Sequence, residues 1–529
     1  MALELRNIAL EGPTLSSAYR RAGQRSCEAT VPSRRVTGSW NGRINRGLGA
    51  SWIVVWALTA GCGRTDLLSS NAERVCDEEQ TSCGGVCTSP QTDVANCGAC
   101  GNACRTDHGS AACVAGTCAV GPCSAGYADC DGNPDNGCEV QLNSDASHCG
   151  SCSRSCGGAT PVCVLGMCSA VRSLAACQAR TCAVLADGIA RCWGVNGYGE
   201  LGNGSTTSSS TPVEVSGLSG VVSIGAGAAH TCAVLLDGSA QCWGSNTTDQ
   251  LGNDTTTDSL TPMPVSGVAG AVSITGGDNH TCAALADGTV RCWGEALFGQ
   301  LGNDAALNSP IPFKVPNVTG VVSISAGGAS TCASRTDGTA QCWGYNNAGQ
   351  LGNNATDYFS PRFLLSGLVT VWGLTSVVSV SSGSQHTCAV LADGTVSCWG
   401  ADSHGELGRV TAPGTDASST PETVPNLGGA VSLGLGGNHS CAALTDGTAR
   451  CWGENGRGQL GDGTTTDSLS PVVVSGLTGV ILLAGGSAHT CAALSDGTVR
   501  CWGSNSYGQL GNGTTTDSSV PVTVVGLSP

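Results

Sequence analysis

His489-Thr490-Cys491-Ala492-Ala493-Leu494-Ser495-Asp496-Gly497-Thr498-Val499-Arg500-Cys501-Trp502-Gly503 is the cleanest copy of a pattern that this chain repeats seven times. Its Cys-Trp-Gly end recurs at Cys192, Cys242, Cys292, Cys342, Cys398, Cys451 and Cys501, in steps of 50, 50, 50, 56, 53 and 50 residues. A period near fifty belongs to closed or stacked repeat architectures. Each copy offers four short strands: one before the His (Val221–Ile224 in the second copy), one with His-Thr-Cys-Ala, one with Cys-Trp-Gly, and one after a Pro such as Pro521. Gly, Asn, Thr and Ser fill the gaps, as turns require. Four strands per unit, seven units and no helical periodicity predict an all-β chain with a seven-bladed β-propeller over residues 171–529. A residue present in every copy serves the copy, so a specific site is expected where the copies differ.

The central hairpin follows from its turn. Asp-Gly stands between the paired cysteines of every copy, from Asp187-Gly188 to Asp496-Gly497. A three-residue hairpin loop ends on a residue in the left-handed region, which Gly adopts at little cost. With Ala186, Asp187 and Gly188 as the loop, Leu185 pairs with Ile189 and, counting outward, Cys182 faces Cys192. Opposed positions on neighbouring strands are within disulfide reach. The recurring spacing predicts Cys182–Cys192, Cys232–Cys242, Cys282–Cys292, Cys332–Cys342, Cys388–Cys398, Cys441–Cys451 and Cys491–Cys501. Each closes a short loop, worth roughly 2–3 kcal/mol. The alternative is fourteen buried free thiols.

From Gly486-Ser487-Ala488-His489-Thr490 through Trp502-Gly503-Ser504-Asn505-Ser506-Tyr507-Gly508-Gln509-Leu510-Gly511 the chain resembles the repeat of the regulator of chromosome condensation family. The resemblance covers about residues 171–529 and implies a seven-bladed propeller. It says less about activity. The eukaryotic founder is a nucleotide exchange factor for a small GTPase on chromatin, and other members are interaction platforms, including a secreted bacterial inhibitor of β-lactamases. The chain departs from the nuclear members in its paired cysteines, its acidity and its export signal, and a fold does not carry a function with it.

Formal charge is −16. Eight arginines and three glutamates precede Cys62, which leaves 15 basic and 36 acidic residues beyond it. That balance, with Lys314 the only lysine, excludes a phosphate-tracking nucleic-acid surface. Acidity has an ordinary reading in solubility. Thirty-three cysteines point to an oxidising compartment. Arg43 and Arg46 precede the apolar run Leu48–Ala60, too short for a comfortable membrane span and suited to a signal peptide over 43–61. Leu58-Thr59-Ala60-Gly61-Cys62 resembles a bacterial lipoprotein box, with Cys62 lipidated after cleavage; a plain secretory signal or a short anchor is the alternative. Residues 1–42 are expected to be absent from the mature protein, and 62–75 to form a linker.

Residues 76–170 read as a small, loop-dominated, disulfide-rich stalk, similar to cysteine-rich stalks of myxobacterial surface proteins. Sixteen cysteines lie there, with an internal repeat: Cys97, Cys100, Cys104, Cys113, Cys118 against Cys149, Cys152, Cys156, Cys163, Cys168. Such a segment cannot build an apolar core and needs covalent staples. Zinc on the Cys-x-x-Cys pairs is the alternative. Asp129, Asp131, Asn133 and Asp135 alternate like calcium ligands, although Pro134 and Val140 stand where a calcium loop needs Gly and Glu; an Asx-rich turn is the competing reading. Cys177 occupies the position of Gly227 in the next copy and has no blade partner, so it either ties the stalk to the first blade or is free.

Catalysis finds little support. His230/Cys232, His280/Cys282, His386/Cys388, His439/Cys441 and His489/Cys491 share a strand face, as a Cys–His nucleophile needs. Yet each Cys has a disulfide partner and the motif recurs five times, so structural histidines are expected. A metal-binding ring of five His is a further reading, which Arg180 and Ser330 interrupt. No phosphate loop, His-Glu-x-x-His or Gly-x-Ser-x-Gly occurs. No enzyme, metal or cofactor is expected.

Aromatic residues gather in one stretch: Phe298, Phe313, Tyr345, Tyr358, Phe359, Phe363 and Trp372. Trp372 reads as part of an insertion, Val369–Leu374, and a second insertion falls near Arg409–Asp416. Aromatic enrichment and inserted loops mark ligand surfaces; blade-core filling is the competing reading. The sequence thus predicts a monomeric, exported binding module on the outer membrane surface or outside the cell, held to the membrane by a lipid anchor only. Its partner is a protein or glycan, with no nucleic acid. An inhibitor of an extracellular enzyme, or a hydrolase using the propeller funnel, are the alternatives.

Overall fold

The computed structural model describes residues 76–527, apart from 78, 125, 159, 304–306, 357–366 and 410–415. Cys62, the signal segment, the linker and Tyr358, Phe359 and Phe363 lie outside the described residues. Within them the regular elements are β-strands, and no helix is long and apolar enough to cross a membrane.

The cysteine-rich segment is a run of small hairpins, such as Gly109–Val114 with Thr117–Cys123 and Val162–Val164 with Met167–Ser169. Its sequence repeat returns as a repeat of bridges. Cys83–Cys100, Cys97–Cys113 and Cys104–Cys118 are matched by Cys130–Cys152, Cys149–Cys163 and Cys156–Cys168. Cys76–Cys87 and Cys123–Cys138 complete the set. Between Cys76 and Cys168 the buried apolar residues are five cysteines and Val162, so sulfur stands in for a core. Cys97 and Cys100 go to different partners, as do Cys149 and Cys152, and no thiolate is left there for zinc.

From Val171 onward seven four-stranded antiparallel sheets follow one another, each a contiguous stretch of chain. Blade 1 is Val171–Cys177, Arg180–Leu185, Ala190–Gly194 and Ser209–Glu214; blade 7 is Val480–Gly485, His489–Leu494, Val499–Gly503 and Ser518–Thr523. The first strands stand side by side around the axis, and that of blade 7 packs beside that of blade 1. Each blade is therefore a single repeat, and the ring closes without exchanging a strand.

The hairpin register is the one its turn dictates. Leu185 N donates to Ile189 O at 3.0 Å, Gly188 has φ 78°, and Cys182 faces Cys192. All seven predicted blade bridges are formed. The second strand of blade 1, Arg180–Leu185, is buried at every residue because both its faces are covered. Cys182 and Val184 face blade 2 and pack with Ile224, Ala233 and Trp243; Ala183 and Leu185 face blade 7 and pack with Val499 and Leu510. The core is thus seven slabs between blades, each holding one fully buried Trp and one disulfide. Burying a side chain of this size contributes about 2–3 kcal/mol or more.

One expectation fails. Val369–Leu374 is not an insertion: Val369–Thr370 pairs with Cys342 and Gln341 as the fourth strand of blade 4, and Trp372 lies in the ordinary loop after it. The extra length of this repeat lies upstream, between Gly344 and Val369. Val371-Trp372-Gly373-Leu374 is the counterpart of Val215-Ser216-Gly217-Leu218 and of the Val-x-Gly/Asn-Leu/Val loop after each other fourth strand.

Candidate functional site

The repeated polar residues form one hydrogen-bonded joint, used at every blade interface. Gln250 O accepts from Trp293 Nε1 at 2.9 Å and from Thr281 Oγ1 at 2.9 Å, both on the next blade. Thr281 Oγ1 in turn lies 2.8 Å from His230 Nε2. Because the hydroxyl proton goes to the carbonyl, the hydroxyl oxygen accepts from the imidazole, and Nε2 carries the proton. His280, His386, His439 and His489 do the same with Thr331, Ser440, Thr490 and Thr181. The last of these closes the ring, with Trp193 Nε1 donating to Gln509 O at 2.9 Å. Sequence reasoning missed the hydroxyl. The signal was there: Thr or Ser follows this position in all seven copies, including the two that lack His.

These five imidazoles are buried, and each Nδ1 lacks a hydrogen-bond partner among the described residues. Desolvation holds His230, His280, His386 and His489 down to about 3 and His439 to about 4. Each Nε2 faces a hydroxyl of the next blade, so the histidines neither converge on an ion nor reach a substrate. With the neighbouring cysteines oxidised, no Cys–His nucleophile exists in the blades.

The exception in blade 1 has a steric reason, whereas blade 4 keeps Gly327 and still carries Ser330. In the histidine blades the third residue before His is Gly, and a Cβ there would collide with the imidazole, as Gly227 does with His230. Blade 1 has Cys177 at that place, and the imidazole is replaced by Arg180. Its guanidinium is fully buried, donates Nη2 to Gly227 O and His230 O at 2.7 Å, and sets Nη1 4.0 Å from Glu200 Oε1. Blade 4 has Ser330, too short to reach, yet Thr387 still donates to Gln350 O at 3.1 Å.

Cys177 is in no disulfide, since all sixteen stalk cysteines pair among themselves. It lines a cavity of about 250 Å³ on the propeller axis, walled by the first strands and the turns after them. Burial pushes its thiol up to about 11, Arg180 opposing and Asp278 reinforcing, so it stays protonated and is a poor nucleophile at neutral pH. No His, Lys or Arg lines the cavity; Asp278 is its one carboxylate. A funnel hydrolase would need an acid–base pair that these walls do not supply.

The four described members of the aromatic set, Phe298, Phe313, Tyr345 and Trp372, do not form one cluster. Phe298 and Tyr345, from loops of blades 3 and 4, meet at 4.8 Å between ring centres, tilted by 56°. Phe313 lies on a fourth strand, opposite Cys292 at the outer edge of blade 3. Trp372, exposed, follows a fourth strand and so leaves the opposite end of its blade. In the stalk, Asp129, Asp131 and Glu139 bring carboxylate oxygens within 4.8 Å of one another. Asn133 and Asp135 are not part of that group. Asp131 accepts from Asn133 N and Asn136 Nδ2, and Glu139 from Cys130 N, which are turn bonds.

Comparison with known proteins agrees with the architecture. Two models described as the regulator of chromosome condensation (RCC1) repeat match the chain, one at 187–234, 237–284, 287–334, 337–390, 446–493 and 496–529, the other in six segments from 221–250 to 480–509. The longer segments run from one blade's Asp-Gly turn into the next blade, so the sequence repeat straddles the blade joint. Curated relatives match over short stretches. A human E3 ubiquitin-protein ligase, HERC2, is 36% identical over 91 residues, 17% of this chain and 2% of that protein. The mitochondrial RCC1 domain-containing protein RUG3 of Arabidopsis thaliana is 40% identical over 87 residues, 16% of this chain and 19% of that protein. A bovine secretion-regulating guanine nucleotide exchange factor is 32% identical over 106 residues, 17% of this chain and 23% of that protein. The matched part is a minor fraction of each relative. Among solved structures, yeast RCC1 has a TM-score of 0.57 at 23% identity, over 63% of this chain and 83% of that one. Human WBSCR16 has 0.57 at 21%, over 64% and 94%. Both likenesses are of fold.

Proposed function

Because the chain belongs to the regulator of chromosome condensation repeat family, we propose that its propeller is a binding module for a protein partner, carried by an exported chain. The observation behind this is how the repeated polar groups are spent. His, Thr, Trp and the Gln carbonyl are consumed between blades, the cysteines in disulfides and the Asp in turns. What remains for function is the divergent loops, which is the economy of an interaction platform. Fifteen disulfides among the described residues support export. In this reading Cys62 carries a lipid, the stalk stands between membrane and propeller, and the module faces outward from the envelope. Exchange-factor and ligase activities belong to relatives that match only over short stretches, and they are not carried over.

The test is capture by the oxidised full chain from envelope and culture fluid of its own and co-occurring bacteria, followed by titration of the retained protein. Retention with unchanged activity of the retained protein supports a scaffold. Loss of that protein's activity makes the chain an inhibitor. Turnover of a substrate without any partner overturns the reading.

A further inference from the structure

The two ends of the propeller differ in charge. In antiparallel four-stranded blades, the turns between strands one and two and the loops between strands three and four emerge at one end; the Asp-Gly hairpins and the loops after strand four emerge at the other. Among the described residues, the first end carries thirteen carboxylates against two arginines, Arg409 and Arg457, in its connecting segments. Ten of these carboxylates reach solvent; Glu200, Asp402 and Glu406 are buried. At the hairpin end the connecting segments hold only the seven turn aspartates, and basic side chains stand beside them. Arg335 pairs with Asp337 at 2.9 Å, and Arg291, Lys314, Arg450 and Arg500 act on Asp287, Asp446 and Asp496.

Hydrogen bonds within the turn, and neighbouring cations where present, hold Asp237, Asp287, Asp337, Asp393 and Asp446 below the usual carboxylate range. At the loop end, desolvation pushes Asp249 and Asp278 up, and Glu295 adds to the effect on Asp278. Among the described residues the ion pairs at the loop end are Arg180–Glu200, Arg409–Asp402, Arg457–Asp517 and His404–Asp467; its other carboxylates have no cationic partner, and an incoming protein can supply one.

Divergence among the copies points to the same end. The Asp-Gly turn is invariant, but the residue two before the Gln or Glu of each third loop runs Tyr198, Thr248, Phe298, Ala348, His404, Arg457, Tyr507. Tyr198 and Tyr507, on the adjacent blades 1 and 7, are each more than half exposed (52% and 53%). Tyr over an acidic field suits Lys and Arg side chains, which pair with the carboxylates and lie on the rings.

We infer that the loop end is the interaction face and that its partner presents a Lys- and Arg-rich protein surface; this rests on the binding-module reading above and adds to it the face and the chemistry.

The oxidised full chain is titrated with a Lys-rich peptide and a Glu-rich peptide of equal length, and the bound Lys-rich peptide is joined by a zero-length carbodiimide cross-link and mapped. Bonds to loop-end carboxylates such as Asp254, Asp278 and Asp416 are expected. Asp254→Lys/Asp278→Lys/Asp416→Lys should weaken binding about tenfold or more, and Asp187→Lys/Glu214→Lys/Asp237→Lys, the same change of charge at the hairpin end, should weaken it far less. Cross-links spread over both ends, equal loss in both variants, equal retention of the Glu-rich peptide, or no retention of the Lys-rich one each overturn the assignment. The mapping uses the native chain, so it decides even if a variant folds poorly. None of these results touches the capture experiment, on which the binding-module reading stands separately.

Discussion

Arg180 and Cys177 show how one residue sets another. The Cys177 Cβ fills the space that an imidazole needs, and Arg180 answers by reaching into blade 2 for the carbonyls of Gly227 and His230. Arg180→His alone places an imidazole against that Cβ and leaves the Gly227 carbonyl without its donor, while His230 O keeps the Gly227 amide, at a cost of about 3 kcal/mol. Adding Cys177→Gly recreates the arrangement of the other blades and should recover at least about 1 kcal/mol of it, a coupling that a double-mutant cycle in urea measures. Additive losses would show the two positions to be independent. At the joint itself, Thr281→Val removes a hydroxyl that serves both His230 and Gln250, and about 2 kcal/mol of stability should go with it. Retained stability would mean that water replaces the hydroxyl.

At the scale of elements, the hairpin was legible from its turn. Asp-Gly fixed the loop, the loop fixed the register, and the register put Cys182 opposite Cys192. Strand count and blade number followed from the same repeat. The joint was not legible, because its acceptor is a backbone carbonyl, Gln250 O, and a sequence does not show where a main-chain oxygen points. The aromatic cluster misled for a related reason. Proximity in sequence put Phe313 and Trp372 beside Phe298, whereas antiparallel strands send them to an outer strand and to the opposite end. Burial of the bridges gives a further prediction. Blade cysteines are at most 1% exposed, whereas Cys100 and Cys152 of the stalk are exposed. Mild reductant under native conditions should open Cys83–Cys100 and Cys130–Cys152 first and spare the seven blade bridges, read as alkylated cysteines by mass spectrometry. Early alkylation of Cys282 or Cys292 would mean that the blades open locally.

For the whole molecule the five joint histidines make acid the weak point. Their pKa values, about 3 to 4, lie below the ~6.5 of an unfolded chain. The unfolded state therefore takes up protons first. Stability from this source is complete above pH ~6.5 and is lost as pH falls toward the folded values, on the order of 2 kcal/mol per histidine by pH 5. Hairpin aspartates held below their usual range add to the loss only below pH ~4. Asp249, Asp278, Asp402 and Glu406, pushed up in the fold, act in the opposite sense. The urea midpoint should fall steeply between pH 7 and pH 5, with several protons taken up on unfolding; a flat profile would show that the imidazoles reach water.

The bridges have a consequence for how such a chain is made. None spans more than 22 residues, and within the propeller every one spans 10. In each blade the next cysteine along the chain is the correct mate, so pairing order coincides with the order of synthesis and the seven blade bridges need almost no proofreading. The stalk is the opposite case: Cys100 and Cys104 lie between Cys97 and its mate Cys113, so its interleaved bridges are where an isomerase has work to do.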